Sequence, residues 1–254
     1  MNFEGKVVVV TGGATGIGYA TTKVFAKHGA RVIIAQRAAQ RGLEAAEGLK
    51  PGAVSSVKLD IRDGSAVIRC IGAVIERFGG IDILINNASV TGASALGSFI
   101  DSSSELIDRV VDTNLKGTIY CSQVVARHMI ETKRRGSIVH VSSVGAYAAQ
   151  ENASVYCATK AAQVMLTQAM AIELAPHGIR VNCVAPGDIQ TETSADAVGE
   201  LKKAGASGRF LRFTPMARRG GGEEVGQAIA FLASENATFV TGITLVVDGG
   251  FLAY

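Results

Sequence analysis

The chain has 254 residues, a length at which an α/β fold is commonly one domain, and its 48% hydrophobic and 19% charged residues supply a large core and exclude global disorder. The 25 Lys and Arg against 22 Asp and Glu leave a net charge of +3, too small and too dispersed for a duplex-binding face, so no nucleic acid partner is expected. No apolar run reaches the ~20 residues of a membrane span, and Met1 to Lys6 lacks the basic-then-apolar order of a signal peptide, so a soluble cytoplasmic protein is expected.

The four cysteines, Cys70, Cys121, Cys157 and Cys183, show neither CxxC nor Cys/His metal spacing and read as reduced core thiols, with no metal site.

In chain order, strand-like runs alternate with helix-length stretches. Lys6 to Thr11 is a β-branched run stopped by Gly12-Gly13, and Ile17 to His28 follows with Ile17, Ala20, Val24 and Phe25 on one helical face. A strand over Arg31 to Ala35 leads to a helix reaching about Lys50, closed by Pro51-Gly52. Val54 to Asp60 is a third strand, Gly64 to Phe78 a helix, and Ile81 to Ile85 a fourth strand. One long helical region is predicted from Asp101 to Thr132, then a strand over Ser137 to Val141, a helix over Ser154 to Pro176 and a strand over Arg180 to Ala185. A helix over Glu223 to Ala233 and a short strand at Leu245 to Val247 complete the pattern.

Strands separated by helix-length crossovers are parallel, because parallel neighbours need about a dozen residues or more to connect. The expectation is a doubly wound seven-stranded parallel sheet with helices on both faces, spanning residues 1–254 as one domain. Pro186 to Gly222 breaks the alternation. It is rich in Gly, Thr and Ser, carries Phe210, Leu211, Phe213 and Met216, and reads as a substrate-covering segment over about 187–222.

Gly12, Thr15, Gly16, Ile17 and Gly18 lie in a glycine turn that joins a buried strand to an amphipathic helix. Such a turn lets backbone approach a ligand, and the free N–H groups and positive end of the helix favour a pyrophosphate, so the strand-turn-helix context predicts dinucleotide binding. The second strand ends in Gln36-Arg37 where a carboxylate usually holds a ribose 2′-hydroxyl. A charge-assisted hydrogen bond from Arg37 to a 2′-phosphate is worth ~1.5 to 3 kcal/mol and favours NADP(H), with NAD(H) as the second choice; the bland reading of Arg37 is a solvated strand end. Asp60, beside Ile61, has two readings, an acceptor for an adenine amino group or a cap on the next helix.

Tyr156 and Lys160 stand four residues apart, on one helical face. Acid/base work at neutral pH requires a fall of ~3 units from the ordinary phenol value, about 4 kcal/mol. An ammonium at ~5 Å supplies roughly 3 kcal/mol at an effective dielectric near 20. Ser142-Ser143 and Asn86-Asn87 end two strands at the carboxyl edge, where open α/β sheets bind ligands, so these polar groups converge on one proton-transfer site.

Together, TGxxxGIG over Thr11 to Gly18, Asn86-Asn87-Ala88, Asn114, Ser143, Tyr156xxxLys160 and Pro186-Gly187 resemble the short-chain dehydrogenase/reductase family, in its 3-oxoacyl-carrier-protein reductase-like and glucose dehydrogenase-like branch. The likeness runs through Val181-Asn182 to Asp248-Gly249-Gly250. It implies a three-layer Rossmann fold, NAD(P)(H), and hydride exchange with a carbonyl or secondary alcohol. By that resemblance Tyr156 is the general acid/base, and Ser143, thirteen residues earlier, polarises the substrate oxygen. Lys160 would lower the Tyr156 pKa and hold the nicotinamide ribose, and Asn114 would hold the backbone and a water linking Lys160 to solvent. Asn87 and Ala88 would flank the ribose, and Pro186, Gly187, Ile189 and Thr191 the nicotinamide. A homotetramer, or a dimer, built on the long helices and the chain's end is expected on the same ground.

Three positions depart from the family pattern. Ser89 stands where Gly is usual after Asn-Asn-Ala, Thr15 where NADP-preferring members often carry a base, and Gly222 where a proline often precedes the Glu pair. The expected reaction is NADPH-dependent ketone reduction, on a 3-oxoacyl thioester or a related ketone. Alternatives are an NAD-dependent sugar, polyol or cyclic alcohol dehydrogenase and, in another class, a non-catalytic nucleotide sensor, which has no chemical need of the Ser143, Tyr156 and Lys160 set. Gly145 and Gln150 join Ser143 and Tyr156 as expected substrate contacts. The basic group Arg127, Lys133, Arg134 and Arg135 suits either an acidic carrier protein or a solvated helix end.

Overall fold

The computed structural model describes residues 1–49, 52–191 and 214–254. The apolar runs form β1 (Val7–Thr11), β2 (Arg31–Gln36), β3 (Val54–Lys58), β4 (Ile83–Asn86), β5 (Ser137–Val141) and β6 (Arg180–Pro186). A two-residue β7 (Ile189–Gln190) and β8 (Gly220–Gly221) pair with each other, and β9 (Thr244–Val247) is the last strand. The main sheet has seven parallel strands in the order β3-β2-β1-β4-β5-β6-β9. Both faces are covered, so β1 is buried at every residue, which is why it reads as an unbroken Val run rather than an alternating one.

The helices are α1 (Gly16–Lys27), α2 (Ala39–Glu47), α3 (Gly64–Phe78), α4 (Ser104–Val111), α5 (Gly117–Glu131), α6 (Ser154–Leu174) and α7 (Gly222–Ala233). Alternate β1 residues supply the two cores. Val8 and Val10 pack under Val24, Phe25 and Ile229 on the α1/α7 side. Val7 and Val9 pack under Ile71, Val125 and Met129 on the α3/α5 side. Gly222 and Gly226 of α7 lie against Ala20 and Val24 of α1, so the residue standing for the usual proline serves a close helix crossing as well as a helix start.

Three features differ from the sequence reading. The helix predicted over Asp101 to Thr132 is two helices joined by a π turn at Asp112–Lys116, with α4 capped by Ser103, whose Oγ accepts from Leu106 N at 3.3 Å. Asp63, not Asp60, caps α3: its Oδ1 accepts from Ala66 N at 3.0 Å, because helix geometry needs the acceptor three residues ahead. The expected substrate-covering segment is framed by the small β7/β8 pair, and its centre, residues 192–213, lies outside the described residues together with Phe210, Leu211 and Phe213. Met216 is described and exposed.

Strand order reverses between β1 and β4, which leaves a crevice at the carboxyl ends of these neighbours. The Thr11 hydroxyl ties its two edges together, accepting from Asn87 N at 3.0 Å and Ala88 N at 3.1 Å.

Candidate active site

The crevice encloses about 310 Å³. Its floor is the glycine turn, with Gly12, Thr15, Gly16, Ile17 and Gly18 on one side and Asn87 and Ala88 on the other. Gly12 takes φ +65° and Gly16 φ +53°, both in the left-handed region. Thr15, the residue before α1, makes no side-chain cap, and the first turn carries no acidic residue. The N–H groups at that helix end are therefore not engaged by a capping side chain, and the space that side chains would fill is kept by glycine. A dinucleotide pyrophosphate fits both features.

Gln36, Arg37, Asp60 and Ile61 line the far end, as expected, together with Leu59 and Arg62. Asp60 accepts from Arg62 Nη2 at 2.6 Å and Nε at 3.0 Å, and this guanidinium, with lesser help from Arg37, holds its carboxyl below the usual range. Two guanidinium groups and one carboxylate leave this end a formal +1. Arg62 was not singled out from sequence; only its place two residues after Asp60, at a strand end, could have signalled it.

At the other end, Tyr156 and Lys160 project from α6, and Thr91, Ser142 and Thr191 line the wall with them. The hydroxyls of Ser143 and Thr91 lie beside the phenol and favour its ionised form. Ser143 Oγ accepts from Gly145 N at 3.0 Å, which fixes the side chain at the carboxyl end of β5. Its neighbour Ser142 turns the other way and donates to the Lys160 carbonyl at 2.8 Å. Of the two adjacent serines, Ser142 lines the crevice itself, while Ser143 is not among the crevice-lining residues and stands beside the phenol.

The electrostatics differ from the expectation. Burial pushes the Tyr156 phenol above its usual pKa, and the Ser143 and Thr91 hydroxyls only partly oppose it. Burial likewise pulls Lys160 down to about 8. The ammonium stands 5.6 Å from the centroid of the Tyr156 ring, and its hydrogen bonds run elsewhere, to Val141 O at 2.9 Å and Gln163 Oε1 at 3.2 Å. The ammonium thus spends two of its protons away from the phenol. Burial is the largest influence on both groups.

Asn114 sits in the π turn, fully buried. Its side chain clasps Val90, accepting from Val90 N at 2.7 Å and donating to Val90 O at 3.1 Å, which anchors the loop that carries Thr91. Its carbonyl accepts from Gln163 Nε2 at 2.7 Å and Thr118 Oγ1 at 2.9 Å. Single π turns displace backbone groups from the regular ladder and recur at functional sites. Gln163 was missed in the sequence, although a Gln one turn beyond Lys160 on the same helix face was a legible signal.

The remaining expected contacts lie further off. Pro186 ends β6, Gly187 donates to Val247 O at 2.9 Å, and Ile189 is buried in the α1/α7 core, so none of the three lines the described crevice. Gly145 packs against Ser143 and Tyr156, while Gln150 is exposed beyond them. Ser89 takes no left-handed backbone, so this departure from Gly is accommodated without strain. The basic group near Arg127 is not one free patch, because Arg134 pairs with Asp82 at 2.7 Å and Arg135 packs over Gly178. Among the described residues no cluster suits a metal ion, and no helix is long and apolar enough to cross a membrane.

Comparison with known proteins agrees with this geometry. The family model described as enoyl-(acyl carrier protein) reductase matches residues 12–252. The chain is 40% identical to the 3-oxoacyl-[acyl-carrier-protein] reductase FabG of Thermotoga maritima, over 98% of this chain and 99% of that protein. It is 39% identical to human L-xylulose reductase, over 98% and 97% of the two chains. A crystal structure of 3-ketoacyl-(acyl-carrier-protein) reductase from Brucella melitensis complexed with NADH superimposes with a TM-score of 0.88 at 32% identity, covering 98% of this chain and 99% of the other. With motifs, sheet order and crevice all in agreement, the chain belongs to the short-chain dehydrogenase/reductase family.

Proposed function

We propose that this protein is an NADP(H)-preferring carbonyl reductase, acting on a 3-oxoacyl thioester or a related ketone. The observation that carries the reading is Tyr156, with Thr91 and the buried Lys160, at one end of a glycine-floored crevice, and the Ser143 hydroxyl beside the phenol. When bound, the dinucleotide supplies or accepts the hydride; the chain supplies the proton and the alignment. Ser143 holds the substrate oxygen, and Tyr156 gives it a proton in reduction or takes one in oxidation. A phenol kept protonated by burial is suited to the donor role.

The net positive charge at the Arg37, Asp60 and Arg62 end favours a 2′-phosphate, and Arg37 makes no ion pair among the described residues. Four free cysteines fit a reducing, cytoplasmic setting. The continuous sheet favours a single dinucleotide-binding domain over residues 1–254, with a segment near 187–222 over the substrate. Exposed Phe239, Ile243 and Val246 beside the edge strand β9, and Met165 and Ile172 on α6, favour a homotetramer. The likeness to L-xylulose reductase keeps a sugar or polyol substrate as the second reading.

The test is a panel of 3-oxoacyl thioesters, ketoses, polyols and cyclic ketones run with NADPH and NADH in parallel. Thioester or ketone reduction faster with NADPH supports the proposal. Activity confined to polyols with NAD⁺ establishes the second reading instead, and no turnover of any member would leave a nucleotide-binding module.

A further inference from the structure

We infer that Gln163 is a positioning residue that holds the Lys160 ammonium by a direct side-chain link to the π turn, in the place where the family resemblance puts a water. The inference rests on the catalytic reading of Tyr156 and Lys160.

Lys160 is 2% exposed and no carboxylate pairs with it among the described residues. A buried ammonium without a counter-ion needs acceptors for its protons, and the described residues supply two, Val141 O and Gln163 Oε1. The carboxamide of Gln163 has one possible orientation. Its Nε2 donates to Asn114 O at 2.7 Å and to Thr118 Oγ1 at 3.1 Å, and the Thr118 hydroxyl spends its own proton on Asn114 O, so the acceptor end of the amide must face Lys160. The π turn thus sets the amide, and the amide sets the ammonium. The third proton of Lys160 remains for the crevice, which it lines beside Tyr156.

The titratable neighbours of the ammonium are few. His140 faces it from β5, Cys183 from β6 and Tyr156 from α6 itself, while the π turn and α5 present only the uncharged Asn114 and Thr118. None of them is an anion at neutral pH, so the dipole of Gln163 is a principal support of the charged form against burial.

The test compares Gln163→Met, Gln163→Ala and Gln163→Glu in the full chain. Lys160 is followed without cofactor by NMR titration of the 13Cε signals of labelled lysine, assigned with Lys160→Arg, and the variants are then assayed with the best substrate of the panel above. In Gln163→Met the Lys160 titration moves down by about one unit and kcat falls about tenfold with little change in substrate KM. In Gln163→Glu it moves up by a similar amount. Gln163→Ala recovers part of kcat, because the vacated space admits a water between Lys160 and Asn114 O.

A folded Gln163→Met protein with Lys160 titrating within about 0.2 units of the parent overturns the inference; if that variant fails to fold, an unmoved titration in Gln163→Glu does so. A shifted titration with parental kcat keeps the link and removes Lys160 from the catalytic reading, so the two failures are distinguishable.

Discussion

The side chain of Asn87 lies over Gly18. Its Nδ2 donates to the carbonyls of Thr11 at 3.0 Å and Gly12 at 3.1 Å, and a Cβ on residue 18 would collide with that amide and with the Gly12 carbonyl. The β4 end thereby staples the turn that follows β1. Gly18→Ala is expected to cost ~1–3 kcal/mol of stability by overpacking and to weaken dinucleotide binding at least about tenfold. Calorimetric titration with NADPH, beside urea unfolding, measures both. Parental affinity in Gly18→Ala would remove the glycine turn from the binding site.

Removing the phenol hydroxyl leaves the ring that Gly145 packs against in place. Tyr156→Phe is therefore expected to lower kcat by about 10²–10⁴-fold with dinucleotide affinity within a few fold of the parent. Ser143→Ala, which removes the hydroxyl beside the phenol, is expected to lower kcat by about 10²-fold. Single-turnover kinetics at saturating NADPH separate chemistry from binding. A Tyr156→Phe enzyme at the parental rate would refute the proton-transfer role.

Charge at the adenosine end predicts cofactor choice. Arg37→Gln removes a guanidinium that makes no ion pair among the described residues, and the ratio of kcat/KM for NADPH over NADH is expected to fall roughly ten- to a hundredfold. Arg62→Gln frees the Asp60 carboxylate, whose charge then opposes a phosphate, so the same ratio falls again while NADH kinetics change little. An unaltered ratio in both variants would overturn the preference for NADP(H).

Two buried basic groups set the pH dependence of stability. His140, enclosed between Thr167 Oγ1 at 2.9 Å and Ser122 Oγ at 3.4 Å, is pulled by burial from 6.5 to about 4. Between those values the unfolded chain binds a proton that the folded chain refuses, so stability falls as pH drops through 6.5 and the loss levels off near pH 4, at ~3 kcal/mol. Half-exposed His128 adds a smaller loss of the same sign. Lys160, lowered from 10.5 to about 8, obeys the same rule in its own window, and stability rises from pH 8 toward 10.5. Urea unfolding across pH 4 to 7 checks the His140 effect, and His140→Leu should flatten that slope.

The strands were legible because a parallel sheet buried on both faces demands uninterrupted apolar runs, and Val7–Thr11 and Ser137–Val141 read correctly to within a residue. The π turn was not legible: its sequence, Asp112–Lys116, has ordinary helical composition, and the extra residue per turn appears only where the Asn114 carbonyl meets Gln163 from another helix. Arg62 and Thr91 escaped for the same reason. Each carries no motif of its own and gains a role from what lies across the crevice.

Sequence alone therefore determined the parallel α/β architecture and the glycine turn, since these follow from periodicity and strand-turn-helix context, while the Ser143, Tyr156 and Lys160 set was legible through resemblance to the short-chain dehydrogenase/reductase family. Tertiary structure decided which way each group titrates. Lys160 and Tyr156 are neighbours on one helix, yet the apolar packing around them desolvates both, and the ammonium spends its hydrogen bonds on Val141 and Gln163. Burial and competing partners are properties of the assembled fold, and no spacing along the chain encodes them.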